Sequence, residues 1–240
     1  MDILELINNI FQRNSVQILR DINWNIKKGE HWALIGPNGS GKTTLLRIVS
    51  GNLWPSSGKV KVLGHEFGKT DLRELRKKIG LVSSYVAENI SQNDKSIDIV
   101  LSGKHSSFGI YELLTDDDGK TAERLLEFLG TNHVKDKHFK TISQGEKQKV
   151  LIARALISNP LILILDEPCS GLDIVSRKNL LSAVSKICKE GKTTVVYCTH
   201  HFEEIVPEIN HVIMIKDGTV FMKGKSEEIL NKGNIEKLFS

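Results

Sequence analysis

A glycine-rich segment near the start of the sequence has the spacing of a phosphate-binding loop. It reads Gly-Pro-Asn-Gly-Ser-Gly-Lys-Thr, follows the predicted strand 31–35 and leads into a predicted helix over 43–49. Glycines let backbone N–H groups converge on an anion, and the helix N-terminus adds partial positive charge. In this pattern the lysine reaches the β- and γ-phosphates of a nucleotide, and the threonine hydroxyl binds Mg²⁺. The predicted phosphate-binding residues are Gly36, Pro37, Asn38, Gly39, Ser40, Gly41, Lys42, Thr43 and Thr44.

Two adjacent carboxylates follow the densest apolar run of the chain. Leu161–Leu165 predicts a buried strand, and Asp166 and Glu167 come directly after it. Side chains at the carboxyl end of a parallel strand point into the ligand crevice of the sheet. We therefore expect Asp166 to hold Mg²⁺ through a water molecule and Glu167 to polarise the attacking water. The alternative is an acidic loop after a core strand, which the preceding phosphate-binding loop disfavours.

The order of the predicted elements favours an α/β fold. Segments 3–10 and 22–26 alternate like β-strands, and further strands alternate with helices after residue 156. Between about residues 85 and 156 the apolar spacing is helical, most clearly over Thr121–Leu129. Strands that alternate with helices predict a mostly parallel sheet covered on both faces. The sequence thus predicts one domain over 1–240, with a helical insertion at about 85–156.

Composition limits the class of protein. The 240 residues are 40% hydrophobic and 26% charged, which is an ordinary globular balance. Because the net charge of +4 is small and dispersed, we expect no direct nucleic-acid partner. Three cysteines without C-x-x-C spacing argue against a disulfide framework or zinc site and fit a reducing cytoplasm. With no apolar stretch near the ~20 residues that cross a bilayer and an acidic start, the chain is expected to be neither secreted nor transmembrane.

Further motifs give the chain a resemblance to the ATP-binding cassette (ABC) ATPases over nearly its whole length. Ile142–Glu146 is similar to the signature segment of that family, and Ser170–Asp173 is similar to its D-loop. Thr199 and His200, after a predicted strand, resemble its switch histidine. The resemblance implies a P-loop NTPase (RecA-like) core with an N-terminal antiparallel β subdomain and an inserted helical subdomain. It also implies ATP and Mg²⁺ as the cofactors of an ATPase.

The resemblance implies roles for particular side chains. Lys42, Glu167 and His200 would be the catalytic residues, and His200 would contact the γ-phosphate and hold Glu167 and the water in register. Phe11 stands where family members carry an aromatic that stacks on adenine, although a core aromatic is the alternative. The signature segment of one subunit would bind the γ-phosphate of ATP held by the opposite subunit. The nucleotide-binding residues implied outside the phosphate-binding loop are Phe11, Ser143, Gln144, Gly145, Glu146 and Asp173.

The sequence departs from the family pattern at three positions, namely 84, 144 and 146. Ser84 stands where the family usually has a glutamine that helps to bind Mg²⁺, so it could reach the metal only through a water. The implied metal-binding residues are therefore Thr43, Asp166 and Ser84. In the signature, Gln144 replaces the commoner glycine and Glu146 the commoner glutamine. Glu146 also completes a Ser-x-x-Glu capping box, which is compatible with phosphate binding.

The resemblance implies the ATP-binding and ATP-hydrolysing subunit of an ABC transporter. Two chains would close head-to-tail around two ATP molecules and energise a separate transmembrane permease, from the cytoplasmic face of the membrane. The chain is similar to the molybdate-transport or photorepair branch of the family at Trp24, Trp32, Ser83–Ser84 and the run His200–Glu204. Two alternatives remain open: a soluble ABC ATPase in nucleic-acid repair or translation, and a nucleotide-dependent regulatory module with little turnover.

Overall fold

The computed structural model describes residues 2–105 and 115–240, so part of the predicted helical insertion, at 106–114, lies outside the described residues. The strands form two sheets. In chain order they are β1 (Asp2–Arg13), β2 (Val16–Lys27), β3 (Trp32–Ile35), β4 (Ser57–Val62), β5 (His65–Glu66), β6 (Ile79–Val82), β7 (Ile162–Asp166), β8 (Thr194–Thr199), β9 (His211–Lys216) and β10 (Thr219–Lys225).

The helices lie between and after these strands. In chain order they are α1 (Lys42–Val49), α2 (Leu72–Arg76), α3 (Ser84–Asn89), α4 (Ser96–Ser102), α5 (Asp116–Phe128), α6 (Gln144–Leu156), α7 (Ile174–Glu190), α8 (Ser226–Ile229) and α9 (Lys232–Phe239). Short 3₁₀ turns occupy Gly103–His105, Asn132–Val134, Phe139–Thr141 and Phe202–Glu204. The part of the chain that the structure describes contains no helix long and apolar enough to cross a bilayer.

The larger sheet has the strand order β10-β9-β3-β8-β7-β6, and the five strands from β9 to β6 run parallel. Its strands are apolar on both faces because each face has a cover. On β3, Ala33 and Ile35 join the core shared with α4 to α7, whereas Trp32 and Leu34 join the core under the smaller sheet. The parallel arrangement brings the carboxyl ends of β3, β7 and β8 to one edge.

The smaller sheet is antiparallel, with the strand order β2-β1-β4-β5. Alternation explains how it packs, since Ile22, Trp24 and Ile26 on β2 are buried while the residues between them are more exposed. These side chains lie against α1 and one face of the larger sheet. The N-terminal antiparallel β subdomain implied by the resemblance is therefore present.

Helices α3 to α6 occupy the described residues between β6 and β7, as the periodicity predicts. Thr115 begins α5 with a capping box shared with Asp118, and Ala122 and Leu126 bury one face at i, i+4 spacing. The helix after the signature segment begins at Gln144, so part of that segment forms the first turn of α6. Helices α4, α5 and α6 pack together beside the edge of the larger sheet that β6 forms.

Candidate active site

The phosphate-binding loop joins β3 to α1 at the carboxyl edge of the larger sheet. Gly41 precedes α1 with φ 101°, a left-handed conformation that favours glycine. A Cβ on Gly36 would lie 2.1 Å from the backbone oxygen of Ile215 on β9. Both glycines are therefore required by geometry, and the loop lies directly against the sheet edge.

Lys42 is buried at the start of α1, and its ammonium group lies across the loop. Its Nζ donates hydrogen bonds to the carbonyl oxygens of Gly36 (2.8 Å) and Pro37 (3.0 Å). The same Nζ lies 3.9 Å from Oε1 of Glu167. The lysine is thus held between the backbone of the loop and the acidic end of β7, where an anion bound by the loop would meet it.

Glu167 follows β7 in a conformation that is unusual for a side chain with a Cβ. Its φ is 50°, and its N–H donates to the carbonyl oxygen of Cys198 (3.0 Å) on β8. Nδ1 of His200 lies 2.9 Å from Oε1 and 2.8 Å from Oε2 of Glu167. Lys42, Glu167 and His200, which lie far apart in the sequence, therefore converge at one point, as the sequence predicts.

Asp166 and Thr43 offer oxygen atoms suited to a hard cation. Burial raises the pKa of Asp166, while hydrogen bonds with Cys198 and Thr43 act in the opposite direction. Oδ1 of Asp166 is buried without a hydrogen-bond partner among the described residues. A carboxylate with an unpaired buried oxygen beside a threonine hydroxyl fits the ligands that Mg²⁺ prefers.

Two adjoining clefts open at this edge. One, of about 420 Å³, is lined by loop residues together with Ile18, Glu167, Ser170 and His200. The other, of about 560 Å³, shares Thr43, Glu167 and Ser170 with the first and extends to Ser84 and Gln144. Ser84 is the exposed first residue of α3, which Ser83 caps.

The adenine-stacking candidate lies at the end of the smaller sheet. Phe11 pairs with Leu19 across β1 and β2 and is half-buried against the core of that sheet. Ile18, which the sequence analysis did not single out, lines the first cleft. Ile18 adjoins Leu19, whose side chain lies close to Gly41 of the loop. The sequence could have indicated Ile18 as a cleft residue only if the position of β2 beside the loop had been known.

The signature segment reaches the second cleft through Gln144, but Ser143 itself lines neither cleft in the described part of its own chain. Ser143 is exposed and begins α6 with the capping box that the sequence predicts. Asp173 begins α7, and its carboxylate accepts hydrogen bonds from Ser176 Oγ (2.6 Å) and the N–H groups of Val175 and Ser176 (both 2.9 Å), which lower its pKa. Ser143 and Asp173 do not line the 420 Å³ cleft among the described residues.

A buried polar network behind the site was not found from the sequence. Glu204 is 2% exposed, and its Oε2 accepts hydrogen bonds from Thr199 Oγ1 (2.8 Å) and the Tyr197 hydroxyl (3.2 Å). That hydroxyl also lies 3.3 Å from Sγ of Cys169, whose pKa burial raises to about 11. Nε of Arg177 lies 3.7 Å from Glu204 Oε1. The network connects the segments that carry Glu167 and His200.

Comparisons with known proteins identify the family. The family model described as ABC transporter matches residues 19–170. The "Uncharacterized ABC transporter ATP-binding protein YlmA" of Bacillus subtilis (strain 168) is 44% identical over 239 residues, which cover 99% of this chain and 90% of YlmA. The "ABC transporter ATP-binding protein ModF" of Escherichia coli (strain K12) is 33% identical over 220 residues, 90% of this chain and 45% of ModF.

A solved structure agrees with these matches. The bacterial ABC transporter cassette MJ0796, solved as a dimer, superposes with a TM-score of 0.80 at 27% identity and covers 92% of this chain and 98% of that one. MJ0796 has also been solved in a post-hydrolysis state with ADP and Pi. The predicted P-loop fold is therefore confirmed. The chain belongs to the ABC transporter family and is one of its ATP-hydrolysing, ATP-binding proteins.

Proposed function

We propose that two copies of this chain close head-to-tail around two ATP molecules, hydrolyse them, and so drive a transmembrane permease. The convergence of Lys42, Glu167 and His200 beside the phosphate-binding loop carries this proposal. Ser143 supports the two-chain arrangement, because it begins a long helix yet does not line the cleft that its own chain forms. We take the whole chain, 1–240, as one nucleotide-binding domain.

Hydrolysis transfers the γ-phosphoryl group of ATP to water. Backbone N–H groups of the loop and the Lys42 ammonium bind the β- and γ-phosphates. Glu167 accepts a proton as the water oxygen attacks phosphorus and the bond to the bridging oxygen of ADP breaks. His200 binds the Glu167 carboxylate and orients it toward the water. The Lys42 ammonium lies 3.9 Å from Glu167 Oε1, so the lysine stands between the carboxylate and the phosphates.

Thr43 and Asp166 would hold Mg²⁺, with Ser84 reaching it through a water at the edge of the second cleft. When bound, Mg²⁺ offsets charge on the phosphate oxygens. Ile18 supplies apolar surface in the cleft for the adenine ring of ATP, and Phe11, at the neighbouring end of β1, stacks on that ring.

The opposite chain completes the site. Its Ser143 hydroxyl and the N–H groups of Gln144 and Gly145, at the N-terminus of α6, would bind the γ-phosphate. Glu146 lies in the same first turn. Asp173 precedes α7, and Ser176 of α7 lies so close to this turn that a Cβ on Gly145 would be 3.0 Å from its Oγ. Closure excludes water other than the nucleophile, and the charge of ADP and phosphate after hydrolysis favours opening.

The permease partner would place the chain at the cytoplasmic face of a membrane. MJ0796 is a transporter cassette, and YlmA and ModF are named ATP-binding proteins of ABC transporters, which favours transport over nucleic-acid repair. We expect a tagged chain, expressed in a cell that carries its neighbouring genes, to sediment with membranes and to co-purify a polytopic membrane protein after mild detergent. Recovery of nucleic acid or repair proteins, with no polytopic protein, would contradict this placement.

Lys42→Ala should weaken Mg·ATP binding by at least about tenfold, because a charge-assisted hydrogen bond to phosphate is lost. Fluorescence titration with a labelled ATP measures the dissociation constant. Lys69→Ala is the matched control, since this lysine is exposed and pairs with Glu66 away from the clefts. An unchanged affinity in Lys42→Ala would rule out its phosphate-binding role.

A further inference from the structure

The carboxylate of Glu146 is shared between two partners at the start of α6. Its Oε2 accepts hydrogen bonds from the backbone N–H of Ser143 (2.8 Å) and from Ser143 Oγ (2.7 Å). Its Oε1 lies 2.7 Å from Nε2 of His133, which belongs to the 3₁₀ turn Asn132–Val134. One oxygen therefore accepts the hydrogen bonds of the helix cap, and the other contacts a side chain from a different segment.

This carboxylate places a negative charge in the first turn of a helix whose N-terminus is proposed to bind phosphate. Burial acts to raise the pKa of Glu146, but hydrogen bonds from Ser143 and His133 outweigh that effect and lower it overall. The carboxylate is thus ionised, and it would repel a γ-phosphate approaching Ser143. The repulsion becomes stronger in a closed dimer, because excluding water lowers the local dielectric.

His133 occupies the position from which this carboxylate can be held in place. Its ring is 61% exposed and Glu146 is 26% exposed, so the pair contributes little to folding. Lys149, on the next turn of α6, also acts on Glu146, and its pKa is lowered chiefly by burial, with Lys186 acting in the same direction. His133, in contrast, contacts the carboxylate oxygen that the cap leaves free.

We propose that His133 is a positioning residue for the ATPase reaction, which donates a hydrogen bond to Glu146 Oε1 and holds that carboxylate in place so that the Ser143 hydroxyl can bind the γ-phosphate of the ATP on the opposite chain. The inference rests on the proposed head-to-tail dimer. In this arrangement the Ser143 hydroxyl turns from Glu146 to the phosphate, and His133 keeps the carboxylate from following it. The histidine acts through Glu146 and does not itself touch ATP.

The test measures the Mg·ATP concentration that gives half-maximal dimer, by analytical ultracentrifugation, in a Glu167→Gln parent that retains ATP. His133→Ala removes the hydrogen-bond donor, and it should raise that concentration about fivefold or more. His133→Gln keeps an amide donor and should recover most of the loss. In a parent that also carries Glu146→Gln, His133→Ala should change the concentration by less than about twofold, because no carboxylate charge remains beside Ser143.

Lys135→Ala is the matched control. It removes a contact of the same length, Lys135 with Glu123 at 2.7 Å, from the residue that follows the same 3₁₀ turn, and it should leave dimerisation unchanged. Dimerisation of His133→Ala at the parent's ATP concentration would overturn the inference and leave the proposed function standing. An equal loss with and without Glu146→Gln would also overturn it. If the parent itself forms no dimer with ATP, the proposed function fails and the inference fails with it.

Discussion

Glu167→Gln is expected to slow ATP hydrolysis by roughly 10²–10⁴-fold, the usual contribution of a general base. Glutamine keeps the size of the side chain and a contact with His200, now 2.8–2.9 Å from the carboxylate oxygens, but it cannot accept a proton from water. The phosphate-binding loop and Lys42 are left intact. ATP binding should therefore persist while turnover is lost, and single-turnover phosphate release at excess protein measures the chemical step.

The same substitution should stabilise the ATP-bound dimer, because hydrolysis no longer opens it. Removing the charge next to Lys42 Nζ, 3.9 Å away, also frees the ammonium for phosphate. Glu88→Gln is the matched control, since Glu88 is an exposed glutamate that lines the adjoining cleft. Phosphate release by Glu167→Gln at the unsubstituted rate would show that another group takes the proton.

The parts of the site that local spacing dictates were predictable from the sequence. The loop needs glycine at positions 36 and 41 because backbone and side chains of other strands approach them closely. The sequence pattern predicts these glycines, but it does not indicate which strands approach them. Asp166 and Glu167 were predictable because an apolar strand in a parallel sheet ends at the ligand crevice. His200 was predictable on the same basis, together with the family resemblance.

The remaining features depend on contacts between distant segments. Ile18 lines the cleft because β2 passes beside the loop, and no spacing within residues 16–27 expresses that contact. His133 and Glu146 meet because the chain turns between residues 134 and 143, and the sequence does not predict the geometry of that turn. In the sequence, the adjacent Glu203 and Glu204 both look like solvated residues, and only burial in the structure distinguishes Glu204 from the exposed Glu203.

Glu204→Ala is expected to lower kcat by roughly 10²-fold while changing ATP affinity little, because a displacement of about 1 Å in a reacting group has that effect. Glu204 holds Thr199, directly before His200, and through Tyr197 it holds Cys169, two residues after Glu167. Without the carboxylate, the Thr199 hydroxyl loses its acceptor and the Tyr197 hydroxyl keeps the Cys169 sulfur, so the two segments are no longer joined through Glu204. Measuring kcat and the ATP dissociation constant separately on the same preparations shows whether kcat falls while affinity is kept.

Loss of stability accompanies the change and has to be separated from it. Each buried hydroxyl that loses this carboxylate as its acceptor costs up to about 1–3 kcal/mol of unfolding free energy, which urea denaturation measures. Glu204→Gln retains one acceptor oxygen, so it should recover part of kcat. Glu203→Gln is the matched control, because Glu203 lies in the same 3₁₀ turn, is about half exposed and pairs only loosely with His201 at 3.4 Å.

The expected order of kcat distinguishes positioning from a general loss of folding. If Glu204 positions the catalytic segments, kcat per folded molecule decreases from the unsubstituted chain to Glu204→Gln and again to Glu204→Ala. The comparison is made at 25 °C, where all three chains remain folded. If Glu204 only stabilises the fold, the three chains differ in their urea midpoints but share one kcat per folded molecule. Because Oε2 of Glu204 is the point where the hydrogen bonds of Thr199 and Tyr197 meet, we expect the first result.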